Sequence, residues 1–116
     1  MPRSPKELAD AYYESWRTGR PLSPDLFAEN LVFVAPMGTV QGRDAFLASL
    51  GKLGVAMKLE RIRREFVDGE DVLVVYDTGT PAGVIPMAEW IHTEKGRIAR
   101  LEVFFDPGKL GPPRAG

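Results

Sequence analysis

The sequence predicts an α+β fold, with helices in the first half and long antiparallel strands in the second. Two observations carry this. Up to Gly54, apolar residues recur at helical spacing in segments that open at Ser-Pro pairs and stop at glycine. Beyond Gly54 the period drops to two, and the alternating runs are broken at Asp68-Gly69, Thr80-Pro81-Ala82-Gly83 and Glu94-Lys95-Gly96. Helices followed by strands are the pattern of an antiparallel sheet with its helices gathered on one face.

The first helix starts at a capping box. Ser4 is the N-cap, Pro5 takes the first helical position and Glu7 reaches back. Leu8, Tyr12 and Trp16 then form an apolar stripe with Ala9 and Tyr13 beside it, and Gly19 and Pro21 stop the helix. Ser23-Pro24 repeats the cap signal for a short second helix carrying Leu26 and Phe27. Residues 31–35, LVFVA, read as a strand ended by Pro36 and Gly38. Gly42 opens a third helix with Phe46, Leu50 and Leu53 on one side, closed by Gly54. Strands are expected over 55–67, 71–79, 84–93 and 97–106, and the tail PGKLGPPRAG is too rich in Pro and Gly for a regular element. The domain therefore spans residues 1–107 and the tail 108–116. Three helices covering a strongly curved sheet leave a cone-shaped cavity, a common seat for small ligands.

Composition excludes several classes. A chain of 116 residues is one domain, and 44% hydrophobic with 27% charged residues is the composition of a globular one. A net charge of −1 gives no reason to expect nucleic acid or an anionic membrane as partner. No apolar run is long enough to span a bilayer and the N-terminus lacks the apolar core of a signal peptide, so a cytoplasmic location is the default expectation. With no cysteine and His92 as the sole histidine, a zinc site of nitrogen and sulfur ligands cannot be assembled within one chain. No glycine-rich phosphate loop, nucleophile elbow or other cofactor motif is present. The basic run Arg61-Ile62-Arg63-Arg64 reads as a solvated or dimer-facing strand surface, with anion binding as the alternative.

Polar residues inside apolar segments are the remaining candidates. Asp77 shares a strand face with Leu73 and Val75, while Tyr76 lies opposite with Val72 and Val74. On a cavity face, desolvation would raise the pKa of Asp77 and suit it to proton transfer; otherwise it caps the turn at Thr78 and Gly79. Trp90 and His92 share a face with Ala88, and Glu89 lies opposite with Met87 and Ile91. Tyr12, Tyr13 and Trp16 suit core packing or, for a phenol, projection into a cavity.

From about Lys6 to Pro107 the chain resembles a SnoaL-like domain of the nuclear-transport-factor-2-like superfamily. The resemblance is carried by AYYESWRTGR, by LFAENLVFVAPMGTVQGRDAFLASL and above all by the ending EWIHTEKGRIARLEVFFDP. It implies a cystatin-like α+β cone, a curved antiparallel sheet wrapped by three helices around a conical pocket, and a homodimer. Relatives in fold include ketosteroid isomerases, polyketide cyclases, limonene epoxide hydrolases and non-catalytic domains, so the fold alone does not name an activity. Of the isomerase groups, Tyr12 matches the tyrosine that donates to the substrate oxyanion, but Ala35 stands at the general base and Ala88 at the second donor. That argues against ketosteroid isomerase activity. Of the epoxide hydrolase groups, Asp77 matches one aspartate, whereas Val75 and Val103 replace the arginine and the second aspartate.

The resemblance turns Leu73, Val75 and Asp77 toward the cavity, together with Ala88, Trp90, His92, Leu101, Val103 and Phe105. The expected pocket is then mostly apolar, lined by Trp16, Phe33, Leu73, Val75, Trp90, Leu101, Val103 and Phe105, with Asp77, Tyr12 and His92 as candidate catalytic groups. Such a pocket suits a small hydrophobic molecule and needs no metal or cofactor. Three readings remain open: a small-molecule-binding domain, a cofactor-free isomerase, cyclase or hydrolase using Asp77 as acid and base, and a non-catalytic dimerisation domain. The outer sheet face, expected to carry Tyr76, Met87, Glu89, Ile91, Arg100, Glu102 and Phe104, would form the homodimer interface.

Overall fold

The computed structural model describes residues 3–53 and 57–110. The expected stop at Gly54, the start of the next strand at 55 and 56, and the tail beyond 110 lie outside them, as does the side chain of Leu53. Helix α1, Pro5–Thr18, has the capping box that its sequence announces: the Ser4 hydroxyl accepts from the Glu7 N–H, and the Glu7 carboxylate accepts from the Ser4 N–H. Gly19 ends it at φ 74°, a left-handed conformation that glycine adopts without steric cost.

Two differences from the sequence reading follow. Pro24–Leu26 makes only a single 3₁₀ turn, and Phe27, expected on a second helix, opens strand β1, Phe27–Ala35. Strand β2, Gly38–Gln41, was not expected; the Pro36-Met37 turn folds it back antiparallel on β1 before α2, Arg43–Leu53, begins. Strands β3 (Lys58–Asp68), β4 (Asp71–Thr80), β5 (Gly83–Glu94) and β6 (Arg97–Phe104) form the expected meander. A final 3₁₀ turn covers Pro107–Leu110.

The six strands make one curved sheet in the order β2-β1-β6-β5-β4-β3, antiparallel except where β1 runs parallel to β6. Its concave face carries Val72, Val74 and Tyr76 of β4, Ile85, Met87 and Ile91 of β5, and Ile98 and Leu101 of β6. Leu8, Ala9, Tyr12 and Tyr13 of α1 and Phe46 of α2 close over that face. Each fully buried Leu, Ile, Val or Phe side chain contributes roughly 1.5–3 kcal/mol. Among the described residues, no helix is long and apolar enough to cross a membrane.

Candidate functional site

Between α1, α2 and the concave face lies a cavity of about 1060 Å³. Its walls are Trp16 of α1, Phe33 of β1, Leu47 and Leu50 of α2, and Val103 and Phe105 at the end of β6. Exposed residues from the end of α1, the β1–β2 turn and the start of β3 form the mouth, among them Arg20, Met37 and Lys58. The buried residues Tyr12, Tyr76, Met87 and Glu89 form the floor.

Glu89 is the unusual member. It sits in the middle of β5, paired across the sheet with Val74 and Val103, and is only 2% exposed. No arginine, lysine or histidine pairs with it among the described residues; its partners are phenols. Tyr13 donates to Oε1 at 2.6 Å and Tyr12 to Oε2 at 3.2 Å, while the Tyr76 hydroxyl also helps to stabilise the ionised form. Burial disfavours the charge more than three donors restore it, and the carboxyl is pushed up to about 7. Burial also drives all three phenols upward, so they stay neutral donors at physiological pH. Tyr12 and Tyr76 line the cavity, but Tyr13 does not. Tyr13 therefore holds the carboxyl from behind and fixes its rotation. A carboxyl that titrates near neutrality can both accept and release a proton.

A SnoaL-like domain model matches residues 9–101. The chain belongs to that family. No curated protein matches it. Among solved structures, an NTF2-like protein of unknown function from Cytophaga hutchinsonii is 27% identical, with TM-score 0.83 over 95% of this chain and 96% of that one. A protein from Kribbella flavida is 33% identical, with TM-score 0.76 over 88% and 86%. A provisionally assigned polyketide cyclase from Pseudomonas putida, at 21% identity, TM-score 0.77 and coverage of 92% and 95%, shares the fold.

This SnoaL-like domain distributes the expected site residues unevenly. Tyr12, Trp16, Phe33, Val103 and Phe105 line the cavity as expected. Leu101 is completely buried in the core and is not among the lining residues. Leu73, Val75, Asp77, Ala88, Trp90 and His92, expected inside, lie on the convex face instead. Tyr76, Met87, Glu89 and Ile91, expected outside, are the buried set. Arg100, Glu102 and Phe104 face outward as expected. Strand alternation separates two sets of side chains but does not say which set is buried, and one wrong assignment inverts a whole strand.

On the convex face Asp77 is an ion-pair residue. Its Oδ2 accepts from Arg61 Nε and from Arg63 Nε, both at 3.1 Å, and its Oδ1 lies 2.7 Å from Arg63 Nη2. The hydrogen bond from Arg63, aided by Arg61, holds it below the usual carboxylate range, the opposite of a neutral-pH acid. His92 Nδ1 lies 2.7 Å from Asp71 Oδ1, which also accepts from Trp90 Nε1 at 2.8 Å. Neither Asp77 nor His92 meets Tyr12. Tyr12 meets Glu89 and Tyr13, and Tyr76 joins them through Glu89 and the Tyr13 ring; Glu89 and Tyr76 are the two that were expected on the outer face.

Proposed function

We propose that this protein binds a small, largely apolar molecule and catalyses a cofactor-free proton transfer on it, with Glu89 as the acid and base. The observation that supports this is a fully buried carboxyl at the floor of an apolar-walled cavity, poised near neutral pH and, among the described residues, without a cationic partner. Asp77, engaged by two arginines on the other face, is replaced in that role. The chemistry that fits is removal of a proton from carbon beside a carbonyl and its return elsewhere, as in an isomerisation or a cyclisation. Glu89 Oε2 takes the proton, which frees the Tyr12 hydroxyl that had donated to it to turn into the cavity and polarise the carbonyl oxygen. The fold shared with a provisionally assigned polyketide cyclase fits this class.

The test is solvent deuterium exchange into a panel of aryl ketones, followed by mass spectrometry. Wild-type protein is expected to accelerate exchange in at least one ketone, with a rate that rises through about pH 7. Glu89→Gln is expected to lower that rate by about 10²–10⁴-fold. Equal exchange by the variant would eliminate Glu89 as the base.

We also propose a homodimer through the convex sheet face. Leu73, Trp90 and Phe104 are exposed there, and the Arg100 guanidinium lies 6.0 Å from the centre of the Trp90 ring. Such a mixture of apolar and charged side chains suits a surface that meets its own copy. Light scattering at micromolar concentration is expected to give twice the monomer mass, and Trp90→Glu the monomer mass. A monomeric wild-type protein would refute the interface.

A further inference from the structure

We infer that the ligand carries an anionic head group, which stays at the cavity mouth against Arg20 and Lys58 while its apolar body points toward Glu89. The inference rests on the reading of Glu89 as the chemical end of the cavity, and it adds the polarity of the molecule that enters.

Five charged residues line the cavity: Arg17, Arg20, Lys58, Glu60 and Glu89. Arg17 is already engaged, since both its Nε and its Nη2 donate to Glu14. It also stands in the last turn of α1, where a cation offsets the exposed carbonyls. Arg20 lies beyond the Gly19 cap, outside the helix. Glu60 is turned back over β4, packed so closely on Gly79 that a methyl group there would strike its carboxylate. Among the described residues, neither Arg20 nor Lys58 has an ion-pair partner.

These two cations stand at the same rim because the Trp16 indole donates to the Met57 carbonyl at 3.2 Å, tying the end of α1 to the start of β3. Beneath them the walls are Leu22, Phe33, Leu47, Leu50 and Phe105. Cations at the mouth of a cleft with apolar walls concentrate anions there. The floor has the opposite character, because an anion beside Glu89 would meet a second carboxylate whenever that group is ionised. Charge therefore sets the orientation as well as the class. A neutral molecule would leave the rim unused, and a cation would be repelled on entry.

The test uses two fluorescent probes with one aromatic body, anilinonaphthalene sulfonate and its neutral analogue phenylnaphthylamine, with quenching of Trp16 to report entry. At low salt the sulfonate is expected to bind wild-type protein about 10-fold more tightly, the sum of two partly exposed ion pairs. The double variant Arg20→Gln/Lys58→Gln should lose that preference and its salt dependence while binding the neutral probe as before. Equal binding of both probes by wild-type protein, no quenching by either, or a preference that survives in the double variant would overturn the inference. Competition by naphthoate and by naphthyl phosphate then tells a carboxylate head group from a phosphate. Glu89→Gln should keep the sulfonate preference, so failure of the rim and failure of the Glu89 chemistry give different results.

Discussion

Glu89→Gln is expected to flatten the pH dependence of stability between about pH 4.5 and 7. In the unfolded chain this carboxyl titrates near its ordinary 4.5; in the folded protein it titrates near 7. Between those values the folded state holds a proton that the unfolded state has released, so stability is fullest below 4.5 and declines as pH rises through 7. The difference corresponds to about 3 kcal/mol. A glutamine has no proton to lose, so the variant should keep only the smaller decline from Glu65, whose carboxyl is also raised by partial burial. Below pH 4.5 the variant should be the weaker protein by about 1 kcal/mol, because one carboxyl oxygen is replaced by an NH2 that cannot accept from a Tyr12 or Tyr13 hydroxyl. Above pH 8 the order should reverse. The carboxylates of Asp71 and Asp77 are both held below their usual range by their partners, so their contribution is lost only as the solution becomes more acidic than this window. Urea unfolding of both proteins from pH 4 to 9 checks this. Parallel curves would show that Glu89 is not the group that titrates.

The same residue shows how far the site could be read from sequence. The two halves of the fold were legible because each rests on local chemistry: the capping box at Ser4, the glycine stop at Gly19, and the turns at Asp68-Gly69 and Lys95-Gly96. The inner face of β6 was legible because one alternating set carries Leu101 and Val103 and the other Arg100 and Glu102. Ile98 joins the buried side through the register shift between the pair His92 with Arg100 and the pair Thr93 with Ile98. In β4 both sets are apolar, Val72-Val74-Tyr76 against Leu73-Val75, and alternation could not choose between them. In β5 the choice was nearly as open: Ile85, Met87 and Ile91 share a set with Glu89, against Val84, Pro86, Ala88 and Trp90 on the other. The available signal was a lone carboxylate flanked on its own set by Met87 and Ile91, whose burial carries it inside. The three phenols around it could not be foreseen, because Tyr12, Tyr13 and Tyr76 come together only when α1 crosses the sheet.

Phe27→Ala should be among the most damaging single substitutions, costing about 3–5 kcal/mol. The sequence places Phe27 at the end of a short helix, where truncation would cost little. In the structure it is the first residue of β1, fully buried and paired with Ile98 on β6, where the parallel contact that joins the two halves of the fold begins. Its ring meets Tyr12 edge-on at 6.0 Å and Phe46 at 5.4 Å, so one side chain joins α1, α2 and the sheet. Each such ring pair contributes about 0.5–1.5 kcal/mol beyond the area it buries. The cavity left by alanine would also remove the surface that backs Tyr12, and with it part of the hold on Glu89 Oε2. Phe27→Leu keeps most of the volume and should cost about 1–1.5 kcal/mol. Phe66→Ala, at a residue 56% exposed on β3, should stay within about 0.5 kcal/mol of wild type. Denaturant unfolding at pH 5, where Glu89 is protonated in the folded state, separates packing from titration. A loss below about 1 kcal/mol for Phe27→Ala would contradict the buried strand and restore the surface helix.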